Sequence, residues 1–137
     1  MSDEDRSVER DRLNGLAERV IGAAIRVHKE IGPGMLESAY EACLMYELLS
    51  DHLKVDRQIP IPIVYRGQRL DCGYRVDLIV NGELVLEIKS VERVTAVHVA
   101  AMRSYLGFLQ RKLGLVINFN VKWLVDGVSR VVNGFPD

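Results

Sequence analysis

The stretch Gly73–Val91, GYRVDLIVNGELVLEIKSV, decides the fold. Two apolar runs flank Asn81-Gly82, the dipeptide that most strongly marks a β-hairpin. Val76, Leu78, Val80, Leu84, Leu86 and Ile88 occupy the even positions, while the odd ones include Arg75, Asp77, Glu87 and Lys89. Both runs alternate with period two, as half-buried strands do.

Register decides what the charged face can do. A bare two-residue turn at Asn81-Gly82 pairs Val80 with Glu83 and puts Val76 on one face with Glu87, which scrambles the apolar side. One extra residue, as a three-residue loop or bulge, pairs Val80 with Leu84 and gathers all six even apolar residues on one face. Burial favours the second register. It also sets Asp77 opposite Glu87 and Arg75 opposite Lys89, with Cβ atoms of an opposed pair ~5 Å apart. Like charges so placed repel, and a divalent cation turns that repulsion into attraction. The plain alternative is an edge hairpin whose charged face is solvated. Against it, Glu87 and Lys89 sit in a very apolar strand, where such residues are rare unless paired or functional.

The 137 residues suffice for one core, with no Pro/Gly/Ser-rich linker to divide them. A hydrophobic content of 48% and a charged content of 27% are those of a soluble globular chain. No run approaches a membrane span, and no secretory leader pattern opens the chain, so a cytoplasmic protein without a membrane partner is expected. Cys43 and Cys72 lack metal-ligand or redox spacing and read as small core residues. With a net charge of −1, any nucleic-acid partner must be met by a local basic patch.

Along the chain, residues 1–12 mix charges around the single apolar Val8 and read as a disordered N-terminal arm, leaving 13–137 as a single domain. From about Asn14, apolar residues recur at helical steps to Ile31, and Gly32-Pro33-Gly34 ends the helix. His28 lies beside that stripe near the helix C-terminus, where an imidazolium is favoured by the dipole. A second helix runs from about Met35 to Leu49, with Leu36, Tyr40, Cys43, Leu44 and Leu48 turned inward. Gly34, Glu37 and Tyr40 are spaced by three along its edge. A helix N-terminus facing the sheet delivers Glu37 as a third carboxylate, although acids near helix N-termini also have a purely local role.

Residues 55–70 alternate Ile59, Ile61 and Ile63 with prolines and fit an edge strand, with a turn at Arg66-Gly67. Thr95–Leu113 reads as a third helix with Val97, Ala101, Ser104 or Tyr105, and Phe108 inward. Leu113–Phe119 is an interior strand. Val121–Val125 and Val128–Val132 around Asp126-Gly127 read as a second hairpin. The element order implies an α/β sheet packed by helices.

The run VHKEIGPGMLESAY at 27–40, with YRGQRLDCGYRVDL, LEIKSVERV and LGLVINFNV further on, resembles the GxxExxY family, assigned to the PD-(D/E)XK nuclease superfamily. The resemblance spans about Leu16 to Asn133. It implies a restriction-endonuclease-like core, a mixed β-sheet flanked by helices. It also implies a metal-dependent nuclease acting on nucleic acid, most readily DNA, with a Mg²⁺ or Mn²⁺ site of Asp77, Glu87 and the Ile88 carbonyl. Lys89 stands beside that site and Glu37 is its helix acid. His28, Tyr40, Arg75 and Tyr105 are the site-lining candidates. A homodimer is consistent with cutting two strands. One departure is Ala101, where relatives usually carry glutamine four residues before the tyrosine. The competing expectations are a catalytically impaired nuclease-fold module that binds nucleic acid or a protein, and a structural protein whose acids pair with Lys89 and Arg75.

Overall fold

A computed structural model describes all residues, 1–137. It holds three helices, α1 (Asp3–Ile31), α2 (Glu37–Ser50) and α3 (Ala96–Leu109). The strands are β1 (Val55–Pro60), β2 (Ile63–Tyr65), β3 (Gln68–Leu70), β4 (Arg75–Val80), β5 (Leu84–Lys89), β6 (Leu113–Asn118) and β7 (Val128–Val132). Five strands form one mixed sheet in the order β1-β4-β5-β6-β7, in which only β5 and β6 run parallel. α3 is the crossover between those parallel neighbours. β2 and β3 form a separate two-stranded ribbon.

The central hairpin takes the register with the extra residue. Val80 pairs with Leu84 and Leu78 with Leu86 across a loop of Asn81, Gly82 and Glu83. Asn81 and Gly82 both adopt positive φ, 52° and 68°, which is why an Asn-Gly pair turns the chain here. Leu78, Val80, Leu84, Leu86 and Ile88 then face α1 and α2, in the larger core with Leu16, Val20, Leu44, Leu48 and Phe119. The sheet's other face carries Ile79, Val85 and Val116 against Met102 and Leu106 of α3. A Cβ on Gly114 of β6 would lie 2.6 Å from the Met102 sulfur, so glycine lets α3 approach the sheet there.

Several expectations change. Val76 joins the α3-side core, not the face of the other even residues, because the ladder between β4 and β5 ends at Leu78–Leu86 and the strand turns at Asp77. Arg75 consequently pairs with Pro60 on β1, not with Lys89. Residues 3–12, expected as a disordered arm, continue α1. Ser2 caps the helix by accepting from the Asp5 amide, acids fill the first turn, and Glu9 and Arg12 pair with Lys112 and Glu83. Val121–Val125 forms no strand: Leu124–Gly127 is a short 3₁₀ turn with Leu124 buried, and β7 pairs with β6. Gly127 is required there, since a Cβ would sit 2.0 Å from the Asn118 carbonyl oxygen. Leu36 and Val97, expected inward, are exposed. So is Cys72, beside the ribbon. β1 is an edge strand, which suits the proline at its end, Pro60.

Candidate active site

The far end of β4 and β5 is where the sheet stops behaving as a sheet. Gln58 of β1 adopts a positive φ of 51°, and the β1–β4 register skips the Gln58–Asp77 pair while holding on both sides of it. A non-glycine residue in that region is uncommon and signals a local constraint. The Asp77 side chain takes over the missing ladder bonds. Its Oδ2 accepts the Ile88 amide at 2.7 Å, and its own amide donates to Glu87 Oε1 at 3.1 Å. Each of the two carboxylates thus accepts a backbone amide of the neighbouring strand, Glu87 that of Asp77 itself and Asp77 that of Ile88.

The end of β5 is held from two more directions. Glu37, first residue of α2, accepts the Ser90 amide at 3.1 Å, and Ser90 Oγ donates to the Met35 carbonyl at 2.6 Å. On the other side, buried Asn118 bonds both the amide and the carbonyl of Val91, and the Phe119 amide donates to the Lys89 carbonyl. The run Glu87–Val91 is therefore tied to α2, β4 and β6 at once.

The spacing of Gly34, Glu37 and Tyr40 has a physical reason. Gly32 and Gly34 take φ of 77° and 97°, the left-handed values glycine tolerates. Tyr40, fully buried, closes the turn they make: its hydroxyl donates to the Gly32 carbonyl and accepts the Met35 amide. Its ring stacks on Phe119 at 4.5 Å. Tyr40 is thus the lock that sets the α2 N-terminus, and with it Glu37, against β5.

Two further residues belong to the site. Glu41, one helical turn beyond Glu37 and 4% exposed, accepts from the Arg57 guanidinium and from Gln58 Nε2 at 2.7 Å. The same Gln58 amide lies 3.3 Å from Asp77 Oδ1 and so bridges the two acids. Glu37, Ser38, Glu41, Gln58 and Asp77 line a cleft of about 310 Å³ with no hydrophobic side chain in its wall. Glu41 was legible as a charge between Tyr40 and Leu44 on the inward stripe of α2. Gln58 was not, because its reach depends on a backbone kink.

The electrostatics reflect crowded acids. Burial pushes the Glu87 carboxyl up to about 7, with the charge of Asp77 adding to the rise. Burial also raises Asp77, and the charge of Glu41 adds to it, against the stabilising Ile88 amide. Lys89 lowers both by its charge but forms no ion pair with either. Burial raises the Tyr105 phenol of α3, and the charge of Glu87 adds to the rise. Its ring is 6.2 Å from that of Tyr74. His28 spends Nε2 on the Val121 carbonyl at 2.8 Å, fastening α1 to the loop after β6. Arg75 is exposed, two residues before Asp77.

A family model described as the PD-(D/E)XK nuclease superfamily matches residues 14–131, nearly the whole chain. The chain belongs to that superfamily, and its five-stranded mixed sheet flanked by helices is consistent with the superfamily's core. Membership supports a nuclease-type function and a nucleic-acid substrate. No curated protein and no solved structure matches the chain. No helix is long and apolar enough to cross a membrane.

Proposed function

We propose that this chain is a divalent-metal-dependent nuclease of the GxxExxY type, hydrolysing phosphodiester bonds in DNA. The observation that carries the reading is the joined pair Asp77 and Glu87, both raised by burial, with the unpaired Lys89 two residues along β5. A cation relieves that repulsion, and the donor set suits Mg²⁺ or Mn²⁺. No three His, Cys, Asp or Glu side chains converge, and Mg²⁺ takes one or two carboxylates and keeps several waters. Asp77 and Glu87 would hold the ion, with the Ile88 carbonyl and, through water, Glu37. Bound there, such an ion would supply a water of lowered pKa and Lewis acidity toward a phosphate oxygen.

The chain's own residues supply the rest. Glu37, fixed by Tyr40 and Ser90, adds negative charge at the cleft mouth and orients water. Gln58 holds Asp77 Oδ1 and Glu41 in one orientation. The Lys89 ammonium, free of a partner, positions the attacking water and stabilises charge on the pentacoordinate phosphorus. Severing both strands would take two copies of the site, and light scattering on the purified protein tests for that homodimer.

The experiment is metal-dependent cleavage of DNA by wild type, Asp77→Asn, Glu87→Gln and Lys89→Ala. Loss in all three with folding retained supports the reading; unchanged cleavage in Glu87→Gln and Lys89→Ala excludes this site. A second reading is favoured by Ala101 and by the acids' own backbone bonds: an impaired module that binds nucleic acid without cutting it. It predicts DNA binding insensitive to EDTA and no cleavage. Gln58 weighs against impairment, since a glutamine amide still meets Asp77, from β1 instead of α3. A purely structural role for the acids is opposed by the absence of ion pairs to Lys89 and Arg75.

A further inference from the structure

The β2–β3 ribbon contributes little to either core. Its strands have three residues each, every residue of β3 is exposed, and Val64, Tyr65 and Leu70 are 43%, 59% and 44% exposed. Two strands alone are marginal in water, so the ribbon stands because its root is anchored. Ile61, 1% exposed, donates its amide to the Tyr74 carbonyl, and Pro60 pairs with Arg75. The ribbon thus continues the β1–β4 pair past the Gln58–Asp77 kink, beside the cleft.

Six arginines of the chain have no carboxylate or hydrogen-bond partner, and three of them, Arg66, Arg69 and Arg75, fall within ten residues at the ribbon and its root, while Arg6, Arg93 and Arg103 are scattered. Arg12, Arg26 and Arg57 are ion-paired, and Arg19, Arg111 and Arg130 are bonded to carbonyl or amide oxygens. Arg69 and Arg75 have no partner, and Arg66 lies only over the ring of Tyr65, 5.6 Å from its centre. From Val64 to Arg75 there are three arginines against one aspartate, Asp71, in a chain of net charge −1. Unpaired cations concentrated on a projecting element are the footprint of a polyanion. The tip points the same way: Tyr65 pairs with Gln68 across a two-residue turn in which Arg66 and Gly67 take φ of 51° and 76°. Asn is the low-strain residue for the first of those positions, yet a cation occupies the apex.

We propose that this ribbon is an arm that enters the major groove of duplex DNA, with Arg66 and Arg69 on the phosphates, and seats the strand against the cleft lined by Glu37, Glu41, Gln58 and Asp77. The assignment of the polyanion rests on the nuclease reading. The choice of duplex follows from size: the B-form major groove admits a two-stranded ribbon, whereas the deep, narrow major groove of A-form RNA does not.

The test is binding of the full chain to a labelled DNA duplex in EDTA, by anisotropy, between ~50 and ~200 mM salt. The variant Arg66→Asn/Arg69→Gln removes both charges and keeps a residue suited to the turn; Arg6→Gln/Arg10→Gln, on α1, removes the same charge elsewhere. The ribbon variant is expected to bind more weakly, with a log–log salt slope shallower by about 2, and the α1 variant to match wild type. No binding by wild type, a wild-type slope in the ribbon variant, or the same loss in both variants overturns the arm. An equal loss on duplex RNA overturns the major-groove assignment. Because the assay needs no cleavage, a shallower slope in a protein that never cuts DNA leaves the arm standing and removes only the nuclease reading.

Discussion

Replacing Glu87 by glutamine should stabilise the metal-free protein above neutral pH. Glu87 is held up at about 7 against an ordinary 4.5. Between those values the folded state binds more protons than the unfolded one, so stability falls as pH rises through the window and levels off above about 7. Taken whole, the rise corresponds to about 3 kcal/mol; water reaching a half-buried group reduces it, and about 1–2 kcal/mol is expected. Glutamine keeps an oxygen to accept the Asp77 amide, now 3.1 Å from Glu87 Oε1, while removing the charge. Urea unfolding in EDTA should therefore show wild type and Glu87→Gln nearly equal at about pH 4.5, with the variant ahead at about pH 8. Adding Mg²⁺ at the higher pH should restore wild type and leave the variant unmoved. A stability difference that stays flat across the window, or a variant weaker than wild type at about pH 8 in EDTA, refutes the reasoning.

Four other substitutions probe the scaffold. Tyr40→Phe removes the hydroxyl that joins Gly32 to Met35 and should cost about 1–3 kcal/mol by urea denaturation. If Tyr40 sets Glu37, the variant should also lose cleavage beyond its loss of folded protein. Glu41→Gln removes a charge that raises Asp77, so NMR titration should find Asp77 ionising at lower pH than in wild type. Gly127→Ala forces a methyl into the Asn118 carbonyl and should destabilise by roughly 2–4 kcal/mol, whereas Gly15→Ala, with open space around it on a helix, should be neutral or stabilising in the same thermal melts.

The central register was legible because alternation and burial leave one hairpin alignment that gathers the apolar residues, and Asn81-Gly82 marks its turn. That register led to Asp77 and Glu87. The turn of β4 at Asp77 was not legible. It arises because the carboxylate outcompetes a backbone carbonyl for the Ile88 amide, a contest between neighbouring strands that no local pattern records. The same event moved Val76 to the opposite core and Arg75 away from Lys89. Glu41 went unread although it stands as a charge on the inward stripe of α2, because such a stripe is defined by its apolar members and its partners, Arg57 and Gln58, lie on another element. The helix over residues 3–12 depends on Lys112 and Glu83, distant in sequence. Asp126-Gly127 looked like a hairpin turn because the dipeptide is the same; what differs is Leu124, which packs into the core and winds the chain ahead of it into a 3₁₀ turn.

The account stands on one cation lying between two strand acids. A crystal soaked in Mn²⁺ and measured at the manganese edge tests this directly: a single anomalous peak within inner-sphere distance of both the Asp77 and Glu87 carboxylates is predicted. Carboxylates that keep their bonds to the Ile88 and Asp77 amides with no manganese between them would contradict it.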